Sequence, residues 1–372
     1  MNLGMDGGEE LTEQETALYD RQIRVWGVDA QRRLSKSHIL VSGLKGTVVE
    51  FCKNIVLAGV GSLTLNDDRE VTEEVLAANF LIPADENAFD GRSIAELCCD
   101  SLKDFNPMVR VSVQKGLLFL FAIQFHVFEP IVTDLFCLDL ILDDRDANCA
   151  NIETLPDFIK ILTGDLSSFG ADFFDKFNVV VISSCSLATK RLVDESCRKL
   201  SKRVAFYTVD CRDSCGEIFV DLQNYTYSKK KLDETVECQL KYPSFEEAIA
   251  IPWRSLPKRV SKLYFAMRVV ERFEEVERRK PGETSISDLS NVLKLRKELC
   301  LAHSLNESQI PDALLERLIA VTREFPPVCA VVGGILGQEV IKALSGKGDP
   351  LKNFFFYDAV DGKGVIEDIS NS

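Results

Sequence analysis

The 372-residue sequence predicts an α/β protein in which a mostly parallel sheet is covered by helices. Short, continuous apolar runs such as Ile39–Val41 and Asn178–Ser183 are typical of strands that are buried on both faces. Helix-length segments with apolar residues at helical spacing separate these runs. Strands that alternate with helices in this way predict parallel pairing, because the chain must cross the sheet between them.

The first strand–helix–strand unit is typical of a nucleotide-binding, Rossmann-like fold. The strand Ile39–Val41 ends at Gly43, a helix follows over Thr47–Leu57, and Ser62–Asn66 is the second strand. In such a unit, the glycine turn and the first N–H groups of the helix face a bound phosphate. The sequence therefore predicts the framework of a phosphate-binding loop just after the first strand.

The loop itself departs from the pattern that binds nucleotides. The three positions of the usual G-x-G-x-x-G spacing are Gly43, Lys45 and Val48, and Gly46 lies between them. Lys45 puts a long side chain where the backbone must approach phosphate, and Val48 puts a branched one where helix must pack on strand. We predict a retained fold and a lost pocket. The alternative, a phosphate-binding Lys45, is disfavoured because no G-x-x-x-x-G-K-[ST] motif is present.

An acidic residue at the end of the second strand matches the position that binds ribose in such folds. Asp67 follows that strand and lies roughly 20 residues beyond the glycine turn. Two interpretations stay open. Asp67 is the relic of a ribose-binding acid, or Asp67 and Asp68 are solvated residues that start a turn.

The alternating pattern continues to the middle of the chain. The predicted elements are helix Ile94–Leu102, strand Val109–Val113, strand Asn178–Ser183, helix Leu187–Leu200, strand Val204–Val209 and a longer, half-exposed strand Cys215–Tyr227. We therefore assign residues 11–228 to one inactive, Rossmann-like domain.

The chain changes character at residue 229. Residues 229–325 are charged at first and then carry three helical patterns, at Ser261–Arg279, Ser287–Leu301 and Asp312–Val321, which predicts a largely helical insertion. Residues 326–372 return to apolar character, with a glycine-containing helix Val328–Leu344 and a hairpin around Asp361 and Gly362. This C-terminal part is predicted to complete the first domain.

Two segments are predicted to stand apart from these elements. Residues 1–10 are acidic and contain glycine, which predicts a flexible tail and not a secretory signal. Residues 117–164 lack clear periodicity, and their continuous apolar part is shorter than the roughly 20 residues that cross a bilayer. We interpret 117–164 as an atypical insertion and expect no membrane span.

Composition narrows the function classes. The net charge of −14 disfavours nonspecific nucleic-acid binding. The 12 cysteines are irregularly placed and the 3 histidines are scattered, so we predict neither a disulfide framework nor a metal site. Cys211 and Cys215 follow a strand near Asp210, but acidic neighbours raise the pKa of a thiol, and we predict no catalytic cysteine.

Five segments together resemble the small subunits of SUMO-activating enzymes, plant versions in particular, within the ThiF-type adenylating family. They are Leu18–Gly27, the glycine turn at Gly43, Asn54–Gly61, Pro327–Leu344 and Asn353–Asp358. The resemblance covers residues 11–116 and 165–369. Residues 117–164 depart from the family pattern, and we take the departure to reflect an unusual transcript such as a retained intron.

The resemblance implies an obligate heterodimer in which the large catalytic subunit holds Mg-ATP, zinc and the thioester-forming cysteine. This chain would bind no cofactor and no nucleic acid, and SUMO would bind through the complex in the nucleus and also the cytoplasm. Arg21, within Tyr-Asp-Arg-Gln, would reach the partner's ATP phosphates in trans, with Arg24 as a helper. Without the resemblance, a salt bridge from Arg21 to Asp20 or a neighbouring acid is the simpler interpretation.

Three other functions stay open. The chain could be the inactive half of a NEDD8- or ubiquitin-activating enzyme, although those proteins are longer. It could be a non-catalytic Rossmann-fold scaffold. A dinucleotide-dependent oxidoreductase is disfavoured because the second and third fingerprint glycines are missing.

Overall fold

The computed structural model describes residues 11–83, 89, 91–115, 165–231, 234–321 and 323–370. The strands in these ranges are β1 (His38–Ser42), β2 (Ser62–Asn66), β3 (Arg110–Val113), β4 (Val179–Ile182), β5 (Ala205–Arg212), β6 (Cys215–Asp221), β7 (Asn224–Lys231), β8 (Glu234–Lys241), β9 (Phe354–Asp358) and β10 (Lys363–Glu367). The α-helices are α1 (Glu13–Leu18), α2 (Asp20–Trp26), α3 (Val28–Ser35), α4 (Gly46–Ala58), α5 (Glu73–Leu76), α6 (Ile94–Phe105), α7 (Ala171–Phe174), α8 (Leu187–Arg198), α9 (Phe245–Ile249), α10 (Lys262–Val276), α11 (Leu289–His303), α12 (Asp312–Ala320) and α13 (Pro326–Ser345).

Eight of these strands form one sheet, in the order β10-β9-β6-β5-β4-β1-β2-β3. The five strands from β5 to β3 are parallel, whereas the pairs β5–β6, β6–β9 and β9–β10 are antiparallel. Strands β7 and β8 pair separately as a two-stranded ribbon. The predicted class, a mostly parallel sheet flanked by helices, is confirmed.

One face of the sheet is covered by α4, α6 and α13. Their apolar side chains form a continuous core with the sheet residues Ile39 and Val41. Helix α13 approaches α4 closely because it carries glycine at the contact. A Cβ atom on Gly333 would lie 2.6 Å from the carbonyl oxygen of Thr47, so any larger residue would force the two helices apart.

Helix α13 is, among the described residues, the one helix long and apolar enough to cross a bilayer. Of its most apolar stretch, 56% is buried inside the protein. Val332, Leu336 and Val340 pack in the core beneath α4. The burial identifies α13 as a core helix, as its sequence pattern predicts.

The helical segment after residue 229 covers the other face of the sheet. Tyr264 of α10 stacks edge-on with Phe354 and Phe356 of β9, and these rings belong to one core cluster with Val180 and Phe206. The boundary placed at residue 229 falls inside β7, and the segment begins with the β7–β8 ribbon before its helices. The segment is therefore one of the two helical layers and shares the core of the sheet.

The prediction of one long, half-exposed strand over Cys215–Tyr227 is wrong. The chain breaks at Gln223, which has a left-handed backbone with φ of 56°, and continues as β7 in the separate ribbon. All residues of β6 are buried, because β6 lies inside the sheet between β5 and β9. The polar residues that suggested exposure, Glu217 and Asp221, are buried in ion pairs with Arg268 and Arg198.

Two predicted segments lie outside the described residues. They are the tail, residues 1–10, and the atypical insertion, residues 117–164. The described residues nearest to the insertion are Lys115 before it and Asp165 after it.

Candidate functional site: a filled phosphate cradle and an anchored arginine

The sheet reverses its strand order between β1 and β4, and the carboxyl ends of these two strands meet at one edge. Open α/β sheets bind ligands in the crevice at this position, because the loops from the two strands diverge there. Here the loops stay in contact. Gly43 has a φ of +82°, and a Cβ atom on it would lie 2.2 Å from the carbonyl oxygen of Ser183. Gly43 thus keeps the turn, and the turn closes onto the loop after β4.

The other positions of the loop are also packed against the rest of the protein. Lys45 is the half-buried N-cap residue of α4, and Gly46 is the first residue of that helix, packed against Ala78 and Cys329. Val48 is fully buried in the core of the sheet. The branched side chain is therefore accommodated by the packing of α4, which begins one residue earlier than predicted.

Asp67 is turned into the loop. Its Oδ2 atom accepts a hydrogen bond of 2.7 Å from the backbone N–H of Leu44, and both carboxylate oxygens accept from the guanidinium of Arg69. Asp67 is 6% exposed, whereas Asp68 is exposed. The interpretation of Asp67 as a solvated turn residue is therefore wrong.

A second carboxylate occupies the N-terminus of α4. Glu324 accepts a hydrogen bond of 3.1 Å from the backbone N–H of Thr47 and a longer one, 3.4 Å, from the Thr47 hydroxyl. Free N–H groups at a helix N-terminus are where phosphate oxygens bind. Glu324, 6% exposed, therefore supplies from within the chain the anion that a nucleotide would supply.

A small cavity lies beside Lys45 of the loop. The cavity lined by Lys45, Ser184, Asp210 and Arg212 has a volume of about 20 Å³. A cavity of that size holds about one water molecule, whereas small-molecule sites typically measure about 300–1,000 Å³. This cavity is therefore too small to hold a nucleotide.

Sequence reasoning missed Glu324. The residue lies 277 positions from Thr47, and it follows the last predicted helix, Asp312–Val321, without any motif of its own. The only available signal was the position of Glu324 just before Pro326 and Pro327, at the start of the helix that returns to the core.

The buried Glu324 carboxylate predicts a pH-dependent stability. Burial raises the pKa of Glu324 above its ordinary value of 4.5, although the nearby charge of Lys45 lowers it in part. A raised pKa means that the contribution of Glu324 to stability is fully present below about pH 4.5 and is lost as pH rises through its folded-state pKa. Glu324→Gln lacks this loss. The free energy of unfolding of the variant, relative to that of wild type, should therefore be higher at about pH 8 than at about pH 5.

Urea unfolding at the two pH values measures this difference. The matched control is Glu277→Gln, at an exposed position. A pH-independent difference between Glu324→Gln and wild type, or an equal pH-dependent difference for the control, would contradict the assignment.

Arg21 lies on a helix that is held at the opposite end of α4. Tyr19, which precedes α2, is buried against Gly59, and its hydroxyl accepts a hydrogen bond of 2.9 Å from Asn106. Gln22 donates to the carbonyl oxygen of Leu57 at 3.1 Å. Within Tyr-Asp-Arg-Gln, the first and last residues thus fix α2 to the end of α4.

The two charged residues between them face solvent. Asp20 pairs with Arg24, one turn further along α2, at 2.8 Å, with 50% and 76% of their side chains exposed. Arg21 is exposed and has no ion-pair partner within the described residues. The simpler interpretation, a salt bridge from Arg21 to Asp20 or a neighbouring acid, is therefore wrong for the acids that the structure describes, and Asp20 pairs with Arg24 instead.

Arg21 lies far from the phosphate loop of its own chain. Helix α4 has 13 residues and is therefore about 20 Å long. The filled cradle lies at its first residue, Gly46, and the anchor of α2 lies at its last residues. An arginine side chain cannot bridge this distance, so Arg21 does not serve the loop of its own chain.

The cysteines and possible metal ligands add no second centre in the described part of the chain. Burial raises the pKa of Cys215 to about 12, and burial with the charge of Glu324 raises that of Cys211 well above its ordinary value. Buried thiols of this kind are poor nucleophiles. The described residues include no group of three or more His, Cys, Asp or Glu side chains placed to hold a metal ion.

The phosphate loop at the switch point of the sheet is filled, and the helix that carries Arg21 is attached at the other end of α4. These features define a modified nucleotide-binding α/β domain. The model of the ThiF family matches residues 19–119 and 145–370, and the chain belongs to this family. The match omits residues 120–144, which lie within the atypical insertion.

Individual relatives narrow the family further. The chain is 63% identical over 364 residues to SUMO-activating enzyme subunit 1B-1 of Arabidopsis thaliana, covering 98% of this chain and 99% of the relative. It is 32% identical over 392 residues to SUMO-activating enzyme subunit 1 of Danio rerio, covering 97% of both. Within the ThiF family, the chain is thus a full-length homologue of SUMO-activating enzyme subunit 1.

A solved structure supports the fold alone. The crystal structure of selenomethionine PaaA superposes with a TM-score of 0.52 at 12% identity, over 100% of this chain and 79% of that one.

Proposed function

We propose that this chain is the non-catalytic subunit of a SUMO-activating heterodimer and that it lends Arg21 to the ATP site of a large catalytic subunit. The observation that carries the proposal is the position of Arg21. It is exposed on an anchored helix, about 20 Å from a phosphate cradle that the chain fills with its own carboxylates.

The filled cradle supports the assignment of ATP to the partner. A phosphate group in the cradle would have to displace Glu324 from the N–H of Thr47 and Asp67 from the N–H of Leu44. Two carboxylates beside a phosphate would repel it. In this proposal, Mg-ATP, zinc and the thioester-forming cysteine all belong to the large subunit.

Arg21 suits a role in adenylation. When the carboxylate of the modifier attacks the α-phosphate of ATP, negative charge accumulates on the departing pyrophosphate. A guanidinium stays charged at neutral pH and donates two parallel hydrogen bonds to phosphate oxygens. A cation that is already in place stabilises this developing charge without reorganisation.

The surface around Arg21 supports contact with a partner. Leu18 and Val25, three residues before and four after Arg21, are 56% and 80% exposed, and Leu57 of α4 is 44% exposed. Apolar side chains clustered around an arginine are typical of the centre of a protein–protein interface. Tyr19 and Gln22 hold the backbone of α2, so Arg21 is offered to a partner from a rigid support.

The proposal is tested by co-expression with a large subunit of a SUMO-activating enzyme. We expect a one-to-one complex in size-exclusion chromatography and modifier-dependent exchange between ATP and pyrophosphate. The isolated chain should show no stoichiometric heat on titration with Mg-ATP and no thioester with SUMO. Stoichiometric ATP binding or thioester formation by the isolated chain would overturn the proposal.

A further inference from the structure

A second, open cleft lies at the opposite edge of the sheet from the filled cradle. It has a volume of about 540 Å³ and is lined by residues that precede three parallel strands: Ser37 before β1, Asn178 before β4 and Arg203 before β5. Strand β1 has five residues and therefore spans about 16 Å, which separates this cleft from Lys45. The cleft is thus distinct from the site described above, and its volume is that of a small-molecule site.

The cleft is strongly basic. Four cationic side chains line it, Arg32, Arg33, Lys36 and Arg203, together with a single acidic one, Asp29. The chain as a whole carries a net charge of −14, so this concentration of positive charge is local. A concave surface lined by charges of one sign focuses their field and attracts ions of the other sign.

The helix dipole of α3 explains only some of the four cationic side chains in the cleft. Arg32 and Arg33 lie in the last turn of α3, where cations stabilise the helix dipole. Arg203 belongs to a different element, the turn before β5, and it converges on the same space. A helix-capping role therefore leaves Arg203 unexplained.

Several of the donors are held in place. The guanidinium of Arg203 stacks on Tyr225, with its carbon 4.8 Å from the ring centroid. Asn178 accepts a hydrogen bond of 2.8 Å from the backbone N–H of His38, which fixes its side chain and leaves its amide nitrogen as a donor. One terminal nitrogen of Arg32 pairs with Asp29 at 3.2 Å, and its Nε atom is buried without a hydrogen-bond partner within the described residues.

We propose that this cleft binds a small, multiply charged phosphate compound. Planar guanidinium groups match phosphate oxygens in pairs, and three of the four cations are arginines. Ala205, Ala343 and Leu344 line the cleft beside the cations and give it an apolar wall. A phosphorylated small molecule with an apolar part matches both the cationic lining and the apolar wall of the cleft. The cleft is too small to enclose a folded protein.

The test is a calorimetric titration of the full-length chain with sodium tripolyphosphate at low ionic strength. We expect one-to-one binding that weakens as salt is added, because salt screens exposed charges. Arg33→Gln combined with Arg203→Gln should lower the affinity at least about tenfold, or about 1.4 kcal/mol. A second variant, Arg33→Gln with Lys36→Gln, changes only exposed side chains and should weaken binding in the same direction.

The matched control is Arg254→Gln with Lys258→Gln, which removes the same charge from exposed positions outside the cleft. Its affinity should stay within about twofold of wild type, since the long-range effect of distant charges is screened. Absence of tripolyphosphate binding, or equal weakening in the control, would overturn the proposal. Tighter binding of a glutamate-rich peptide than of tripolyphosphate would also overturn it, because the cleft would then recognise acidic protein segments.

Discussion

Arg21→Ala is expected to lower modifier-dependent exchange between ATP and pyrophosphate by about 10³-fold in the reconstituted heterodimer. The estimate comes from arginines that a second protein supplies to a phosphoryl-transfer site. Dimerisation should persist, because Tyr19 and Gln22, and not Arg21, attach α2 to the body of the chain. Exchange assays at saturating modifier, with size-exclusion chromatography of the same samples, measure both quantities.

Three companion variants sharpen this test. Arg21→Lys keeps the charge but loses the paired hydrogen bonds, so it should restore only part of the activity. Arg24→Ala should have a smaller effect than Arg21→Ala, because Arg24 is already paired with Asp20. Arg254→Ala, at an exposed position in the short 3₁₀ helix after α9, is the matched control and should leave exchange unchanged.

The outcome separates the proposed function from a pure scaffold. A scaffold needs the surface of α2 only for contact, so it predicts that Arg21→Ala and wild type exchange at the same rate once the complex has formed. Unchanged exchange in an intact complex would therefore exclude Arg21 from the chemistry. Loss of exchange together with loss of the complex would place Arg21 in the interface alone.

Local sequence patterns were sufficient for much of the fold. Strand β2 coincides with its prediction, Ser62–Asn66, and α10 lies within the predicted helix Ser261–Arg279. Such elements are encoded by apolar spacing within a few turns or strand residues, and this spacing survives without knowledge of the neighbours. The change in the phosphate loop could also be predicted from local sequence, because each glycine position of the motif has its own steric requirement.

The features that the sequence did not reveal depend on distant contacts. Glu324 fills the cradle only because the C-terminal helix brings it to Thr47, and no local pattern marks that contact. Strand β6 looked half-exposed because Glu217 and Asp221 alternate with apolar residues. Their burial depends on arginines from other elements, which a periodicity analysis cannot see.

One of these arginines, Arg268, belongs to a buried ionic network that joins the helical layer to the sheet. Lys190 of α8 lies between Asp210 of β5, at 2.5 Å, and Glu271 of α10, at 2.6 Å. Arg268 of α10 continues the network to Glu271 and to Glu217 of β6. Lys190 is 2% exposed, and the two carboxylates beside it raise its pKa above the ordinary value despite burial.

Lys190→Met should lower the free energy of unfolding by about 3–5 kcal/mol, because it leaves the partly buried Asp210 without a counter-charge and the buried Glu271 with Arg268 alone. Urea denaturation near neutral pH measures the loss. Lys199→Met is the matched control, since its ion pair with Glu195 is exposed and should be worth less than about 1 kcal/mol. Adding Asp210→Asn to Lys190→Met should recover part of the stability, because Asp210 has no other ion pair within the described residues, whereas Glu271 keeps Arg268. A loss for Lys190→Met no larger than for the control would mean that packing, and not the ionic network, holds the helical layer on the sheet.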